Sequence, residues 1–253
     1  MKVAQREQAI LSMLQSGDIV TVEEMAKEFS LSKETVRRDL ARMAAAGTVR
    51  KVYGGAVLPQ TAMEDPVDKR RHSFVEEKDK IARTVIELFK PGDSLFIDTG
   101  TTTSVFAQYL SGVDGVTVIT NSADVADCFN REQQSSKAIL VGGDYNARLR
   151  ETYGPMAVRQ IRAFHADWAV VTVGGVHSQS GLTDYNLEEA EIARAMIAQS
   201  RRVVILADHS KVDCEALVQV CGWDNVDYLV TDSALPKEYL AVLADKKVTV
   251  LAG

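Results

Sequence analysis

Apolar positions near the start of the chain recur at helical spacing. Ile10, Leu11 and Leu14 give a helical period over Val3–Gln15, which breaks at Ser16-Gly17. Thr21, followed three residues later by Glu24, forms a capping box, so a second helix begins there with Met25, Ala26 and Phe29 facing inward. Ser32 caps a third helix, in which Val36, Leu40 and Met43 at i, i+4 and i+7 define the buried stripe. Lys33, Arg37, Arg38 and Arg42 then lie off that stripe, largely in solvent. After Gly47 the pattern becomes strand-like over Thr48–Tyr53, with Gly54-Gly55 as a tight turn and Ala56–Leu58 as the return strand.

From Glu76 onward, helical and strand signals alternate. Helices are predicted over Glu76–Phe89, Thr103–Leu110, Ala123–Phe129, from Gly154-Pro155 to Phe164, over Leu187–Ser200 and after Pro236. Strands are predicted over Ser94–Asp98, Val116–Thr120, Ala138–Val141, Trp168–Val173, Val203–Ala207, Tyr228–Thr231 and Val248–Leu251. Continuous Val/Ile/Leu strands between amphipathic helices imply a mostly parallel sheet covered on both faces. Between the two patterns, periodicity is lost and Pro59, Pro66 and the basic run Lys69-Arg70-Arg71-His72 accumulate. That stretch reads as a linker carrying a solvated charge run. The chain therefore divides into a head, 1–58, a linker, 59–74, and a body, 75–253.

Three helices followed by a two-stranded hairpin make a winged helix-turn-helix, with the third helix placed to enter a major groove. Charge sharpens this reading. The 253-residue chain has net charge −6, which alone argues against a nucleic-acid partner. Yet residues 1–58 carry nine Lys/Arg against seven Asp/Glu, and the remainder carries twenty against twenty-eight. A basic head on an acidic body suits a DNA reader. The expected contacts are Thr21, Ser32, Lys33, Thr35, Arg37, Arg38 and Arg42 around the third helix, with Arg50 and Lys51 on the wing. Hydrophobic residues at 46% and charged residues at 25% exclude disordered and fibrous classes. The apolar runs are far below membrane length and the N-terminus lacks a signal-peptide core, so the expectation is a cytoplasmic protein with no membrane partner. Cys128, Cys214 and Cys221 include no Cys-x-x-Cys pair and read as ordinary small residues, with no metal and no cofactor expected.

The body's chemistry lies after its strands. Asp98-Thr99-Gly100-Thr101-Thr102-Thr103 leads into a helix. Glycine permits the turn, hydroxyls donate, and the helix N-terminus presents unbonded N–H groups, a combination suited to phosphate. It is neither a Walker A loop nor a dinucleotide fingerprint. Asn121-Ser122, Gly142-Gly143, Gly174-Gly175 and Asp208-His209-Ser210-Lys211 end other strands on the same edge, where open α/β sheets bind ligands.

The run Leu31-Ser32-Lys33-Glu34-Thr35-Val36-Arg37-Arg38-Asp39-Leu40, with Gly47, Arg50 and Gly54-Gly55-Ala56, resembles the DNA-binding signature of the DeoR family of bacterial transcriptional regulators. Tyr53 stands where that family usually has His. Asp98-x-Gly-Thr-Thr-Thr, Thr120-Asn121-Ser122, Gly142-Gly143, Gly181-Leu182-Thr183, Asp208-His209-Ser210-Lys211 and Thr231-Asp232 are similar to its sensor domain. The resemblance implies a fold related to the pentose-phosphate isomerases and a phosphorylated-sugar effector. It further implies a pocket containing Asp98, Gly100, Thr101, Thr102 and Thr103, completed by Asn121, Gly142, Gly143, Gly174 and Lys211. The expected function is a repressor of carbohydrate catabolism that binds double-stranded operator DNA as a dimer or tetramer and is not an enzyme. The alternative is a sugar-phosphate isomerase with an appended head, using a carboxylate base among Asp184, Glu188, Glu189 and Glu191.

Overall fold

The computed structural model of the chain describes residues 3–14, 19–45, 49–57, 64–129 and 135–253. Two compact units result, Met1–Met63 and Glu64–Gly253. The expected breaks at Ser16-Gly17 and Gly47, and the end of the return strand at Leu58, lie outside the described residues.

The head consists of α1 (Val3–Leu14), β1 (Val20–Thr21), α2 (Val22–Glu28), α3 (Lys33–Ala45), β2 (Arg50–Val52) and β3 (Gly55–Val57). The capping box forms: Glu24 N–H donates to Thr21 Oγ1 at 3.1 Å, and Thr21 N–H donates to Glu24 Oε2 at 2.7 Å. Ile10, Leu14, Met25, Val36, Leu40 and Met43 pack into one core, as their spacing requires. The wing gains a strand that periodicity misses. β1 pairs antiparallel with β3, giving the order β1-β3-β2. Gly55 permits this approach, because a Cβ there would lie 2.3 Å from the Val20 carbonyl oxygen.

The body begins with α4 (Val67–His72) and α5 (Val75–Val85), followed by β4 (Ser94–Ile97), α6 (Thr101–Leu110), β5 (Thr117–Thr120), α7 (Ala123–Asp127) and β6 (Lys137–Leu140). A hairpin of β7 (Asp144–Asn146) and β8 (Glu151–Tyr153) leads into α8 (Gly154–Ile161) and β9 (Ala166–Thr172). Then come β10 (Gly175–His177), β11 (Gly181–Asp184), α9 (Leu187–Ala198), β12 (Ser200–Leu206), β13 (Val218–Cys221), β14 (Tyr228–Thr231), α10 (Lys237–Asp245) and β15 (Thr249–Ala252).

Seven strands form one parallel sheet in the order β15-β14-β12-β9-β4-β5-β6. Its two faces bury separate clusters. Leu95 and Ile97 pack with Ile81, Phe106 and Trp168, while Phe96 between them packs with Ala157, Ile161 and Met196. Successive side chains of one strand thus serve opposite layers, so the sequence reads as continuously apolar. β10, β11 and β13 form a small antiparallel sheet. Gly181-Leu182-Thr183 lies in strand β11, which starts at Gly181 with a positive φ of 78°.

The expected linker needs correction. Its second half belongs to the body: α4 forms, Val67 is buried, and Glu64 pairs with Arg70 and Lys211. A six-residue helix with one apolar anchor is too short for periodicity to register. The basic run is also not merely solvated, since Lys69 pairs with Asp65 and Arg71 with Asp124.

Candidate functional site

In the head, Arg37 and Arg38 are exposed on α3, beside the buried Val36. Arg37 lies 4.0 Å from a carboxylate oxygen of Glu34. Thr35 N–H donates to Ser32 Oγ at 3.1 Å, so Ser32 caps α3, while Thr21 caps α2. Arg42 is drawn into the fold. Its guanidinium pairs with Glu7 at 2.9 Å and with Asp39 at 2.5 Å. Asp39, 2% exposed, also takes a two-pronged contact from Arg6 at 2.8 and 3.1 Å. The Arg6 hydrogen bonds hold the Asp39 carboxyl below the usual range. Lys33 pairs with Glu23, and Lys51 is exposed on the wing. Arg50 starts β2, and its side chain lies outside the described residues.

In the body, the order of the sheet reverses between β4 and β9: β5 and β6 extend one way, β12, β14 and β15 the other. That is the switch point at which open α/β sheets leave a crevice. Asp98, at the end of β4, spans it. Its carboxylate accepts from Thr172 N–H at 2.9 Å and sits 3.4 Å from Thr172 Oγ1. Burial pushes its carboxyl well above the ordinary range despite those bonds. Gly100 begins α6 without a side-chain cap. A Cβ on Gly100 would lie 2.3 Å from Thr172 Oγ1, so only glycine fits. Thr103 Oγ1 donates to the Asp98 and Gly100 carbonyls and Ser104 Oγ donates to Gly100 O, so these two hydroxyls are engaged within the turn, beside the backbone N–H groups of the helix start.

Beside this turn lies a small solvent-open cleft lined by Arg70, Arg71, Thr99, Gly100, Thr101 and Ser104, with Asp124 and Glu189 at its wall. Arg70 and Arg71 come from α4. Sequence reasoning missed them because the basic run had no element to place it. Their only signal was the charge itself. Lys78, buried at 3% exposure, donates to the carbonyls of Arg70 and Ser73 and so holds the C-terminal end of α4. Burial lowers its ammonium's pKa.

The remaining expected residues separate. Asn121 Nδ2 donates to Thr152 O at 3.1 Å, fixing β8 beside β5. Gly142 exchanges two hydrogen bonds with the Gln160 amide, and a Cβ on Gly143 would meet Tyr153 O at 2.4 Å. Gly143 therefore serves close packing near β6, while the Gly142 backbone is tied to Gln160. Gly174 packs on the Tyr185 ring, where a Cβ would lie 2.7 Å from Cδ2. Lys211 pairs with Glu64 at 2.9 Å. Burial works against its ammonium, but Glu64 outweighs this and holds the pKa above its ordinary value. His209 and Asp232 meet at 2.9 Å, joining two motifs that sequence leaves unconnected.

The carboxyls are the second surprise. Burial raises Glu151 to about 7, Asp184 to about 6 and Glu189 to about 8. Glu151 is 2% exposed, and its Oε2 has no hydrogen-bond partner among the described residues. Each is aggravated by a like-charged neighbour: Asp184 by Glu64, Glu151 by Asp184, and Glu189 by Asp184 and Glu151.

A winged head on the same chain as a parallel sheet with a pocket near its switch point defines a ligand-responsive DNA-binding regulator. The DeoR-like helix-turn-helix domain matches residues 6–62 and the DeoR C-terminal sensor domain residues 73–233. The glycerol-3-phosphate regulon repressor of Escherichia coli (strain K12) is 32% identical over 245 residues, covering 97% of each chain. The transcriptional repressor GlcR of Bacillus subtilis (strain 168) is 32% identical over 239 residues, covering 94% of this chain and 91% of its own. Ribose 5-phosphate isomerase A of Methanocaldococcus jannaschii aligns with TM-score 0.40 and 16% identity over 55% of each chain. The chain belongs to the DeoR family of transcriptional regulators.

Proposed function

We propose that this regulator is a repressor of a carbohydrate or polyol-phosphate operon, that its head reads operator DNA, and that a phosphorylated sugar or polyol in the body's pocket releases it. α3 enters the major groove, with Arg37 and Arg38 as its reading residues and Ser32, Lys33, Thr35 and Lys51 toward phosphates. Arg42 instead holds α3 to α1 through Asp39 and Glu7. The observation that carries the effector reading is one pocket lined by both the uncapped start of α6 and two arginines, Arg70 and Arg71. Backbone donors and guanidinium forks together recognise a phosphate monoester. Glu189 at the pocket wall, protonated at neutral pH, then offers an O–H donor and an acceptor to sugar hydroxyls, while burial raises Glu151 to about 7.

The same carboxyls favour the isomerase reading, because proton transfer needs a carboxyl titrating near neutral pH. We assign them to hydroxyl recognition, since the relatives are named as repressors. We further propose a homo-oligomer working in the cytoplasm on DNA, as paired half-sites require paired heads. The test is a panel of phosphorylated sugars and polyols. One member raises the melting temperature and weakens operator binding, and no member is isomerised. Turnover of a panel member would install the isomerase reading. A panel that neither stabilises the protein nor shifts DNA affinity would remove the sensor reading.

A further inference from the structure

Glu64 is the first residue of the body unit, and its carboxylate bridges two cations. One oxygen is 3.0 Å from Arg70 NH2 and the other 2.9 Å from Lys211 Nζ. All three side chains are mostly enclosed, at 18%, 20% and 22% exposure for Glu64, Arg70 and Lys211. A carboxylate held between a guanidinium and an ammonium has the arrangement an anionic ligand would take. Arg70 also lines the pocket at Thr99–Thr101, so one guanidinium serves both Glu64 and that cavity.

Resting on the effector reading above, we propose that Glu64 is an internal occupant of the anion seat formed by Arg70 and Lys211, and that a phosphate monoester displaces it. The other acid paired to a pocket arginine does not have this freedom. Asp124 sits in the first turn of α7 and is held by Arg71 and Arg150 together. Glu64 precedes the first helix of the body and follows directly on the head unit in the chain. Its release therefore acts on the segment that tethers the head, and effector chemistry reaches the DNA-binding unit through one ion-pair exchange. Phosphate is the stronger guest, carrying more charge and three acceptor oxygens against the carboxylate's two. Arg70 stays anchored during the exchange, because its backbone carbonyl is held by Lys78 and its Nε donates to Asp65 O.

An internal competitor lowers apparent affinity by the fraction of time the seat is free, so a seat closed nine-tenths of the time weakens binding about tenfold. Calorimetric titration of the full-length protein with inorganic phosphate and each panel compound tests this in wild type, Glu64→Gln and Arg70→Gln. The expected result is that Glu64→Gln binds the compound recognised by wild type about tenfold tighter, while Arg70→Gln binds it at least tenfold weaker. A purely structural ion pair gives the opposite sign at Glu64, with binding equal to wild type or weaker, and that result overturns displacement while leaving the sensor reading intact. If Glu64→Gln fails to fold, Glu64→Asp serves: a shorter carboxylate that reaches only one cation must also tighten binding, and unchanged binding overturns the proposal. Failure of every compound to bind wild type and both Glu64 variants overturns the sensor reading and displacement together.

Discussion

Asp39 shows how a residue inside a recognition signature can serve the fold. It lies in the basic third-helix run, yet its 3% exposed side chain joins Arg6 of α1 to Arg42 of α3. Removing one partner of such a buried network strands charges, which costs about 3 kcal/mol or more. Asp39→Ala should therefore destabilise the head by about that amount in urea unfolding, a loss far above that of a surface carboxylate. Its lowered carboxyl fixes the pH sign: the stabilisation is present above the unfolded value of 3.8 and fades as pH falls below it. The crevice carboxyls have the reverse sign. As pH rises from 4.5, the unfolded chain ionises Glu189 while the folded body keeps it protonated until about 8. The body should thus lose stability across that window. Glu189→Gln, which keeps the acceptor for Asn186 Nδ2, should exceed wild type by on the order of 1–3 kcal/mol at the top of the window and match it at the bottom. Equal stability curves would mean Glu189 ionises normally.

At the scale of elements, α3 presents a buried stripe and an exposed basic face at once. Arg37→Ala and Arg38→Ala should each cost about 1–3 kcal/mol of operator binding with little loss of stability, since neither supports the core. Fluorescence anisotropy on operator DNA together with a melt separates the two effects, and unchanged affinity in both variants would exclude this helix as the reader. The head and the parallel strands were legible in sequence because long apolar periods and capping residues are local signals. Leu95-Phe96-Ile97 announces a doubly covered strand without knowing its neighbours. β1, α4, β10 and β13 were not legible, being two to six residues long and fixed by partners far along the chain. The site divides the same way. Gly100 and Thr101, singled out by the strand–turn–helix pattern, line the pocket at the start of α6. Arg70 and Arg71 reach the pocket through tertiary packing, and Gly143, which looks like a ligand turn, is demanded by the Tyr153 carbonyl, while Gly142 makes backbone hydrogen bonds to the Gln160 amide.

For the whole molecule, the proposed DNA-reading and effector-binding residues belong to different units, Met1–Met63 and Glu64–Gly253. Control must be a coupling free energy, and coupling is reciprocal. If a phosphorylated effector weakens operator binding about thirtyfold, within the usual range of about 1–3 kcal/mol, operator DNA must weaken effector binding by the same factor. Two titrations on one preparation measure this: DNA affinity with saturating effector, and effector affinity with saturating DNA. Lys211→Ala removes a cation from the proposed seat and leaves α3 untouched. Its operator complex should respond only at much higher effector concentration, a repressor that its inducer no longer releases at the wild-type concentration. The two coupling factors should still equal each other in that variant, since reciprocity holds for any pair of ligands at equilibrium. Release of Lys211→Ala from DNA at the wild-type effector concentration would show that Lys211 does not touch the ligand. A factor of one in both titrations would show that effector and operator are not coupled in this chain.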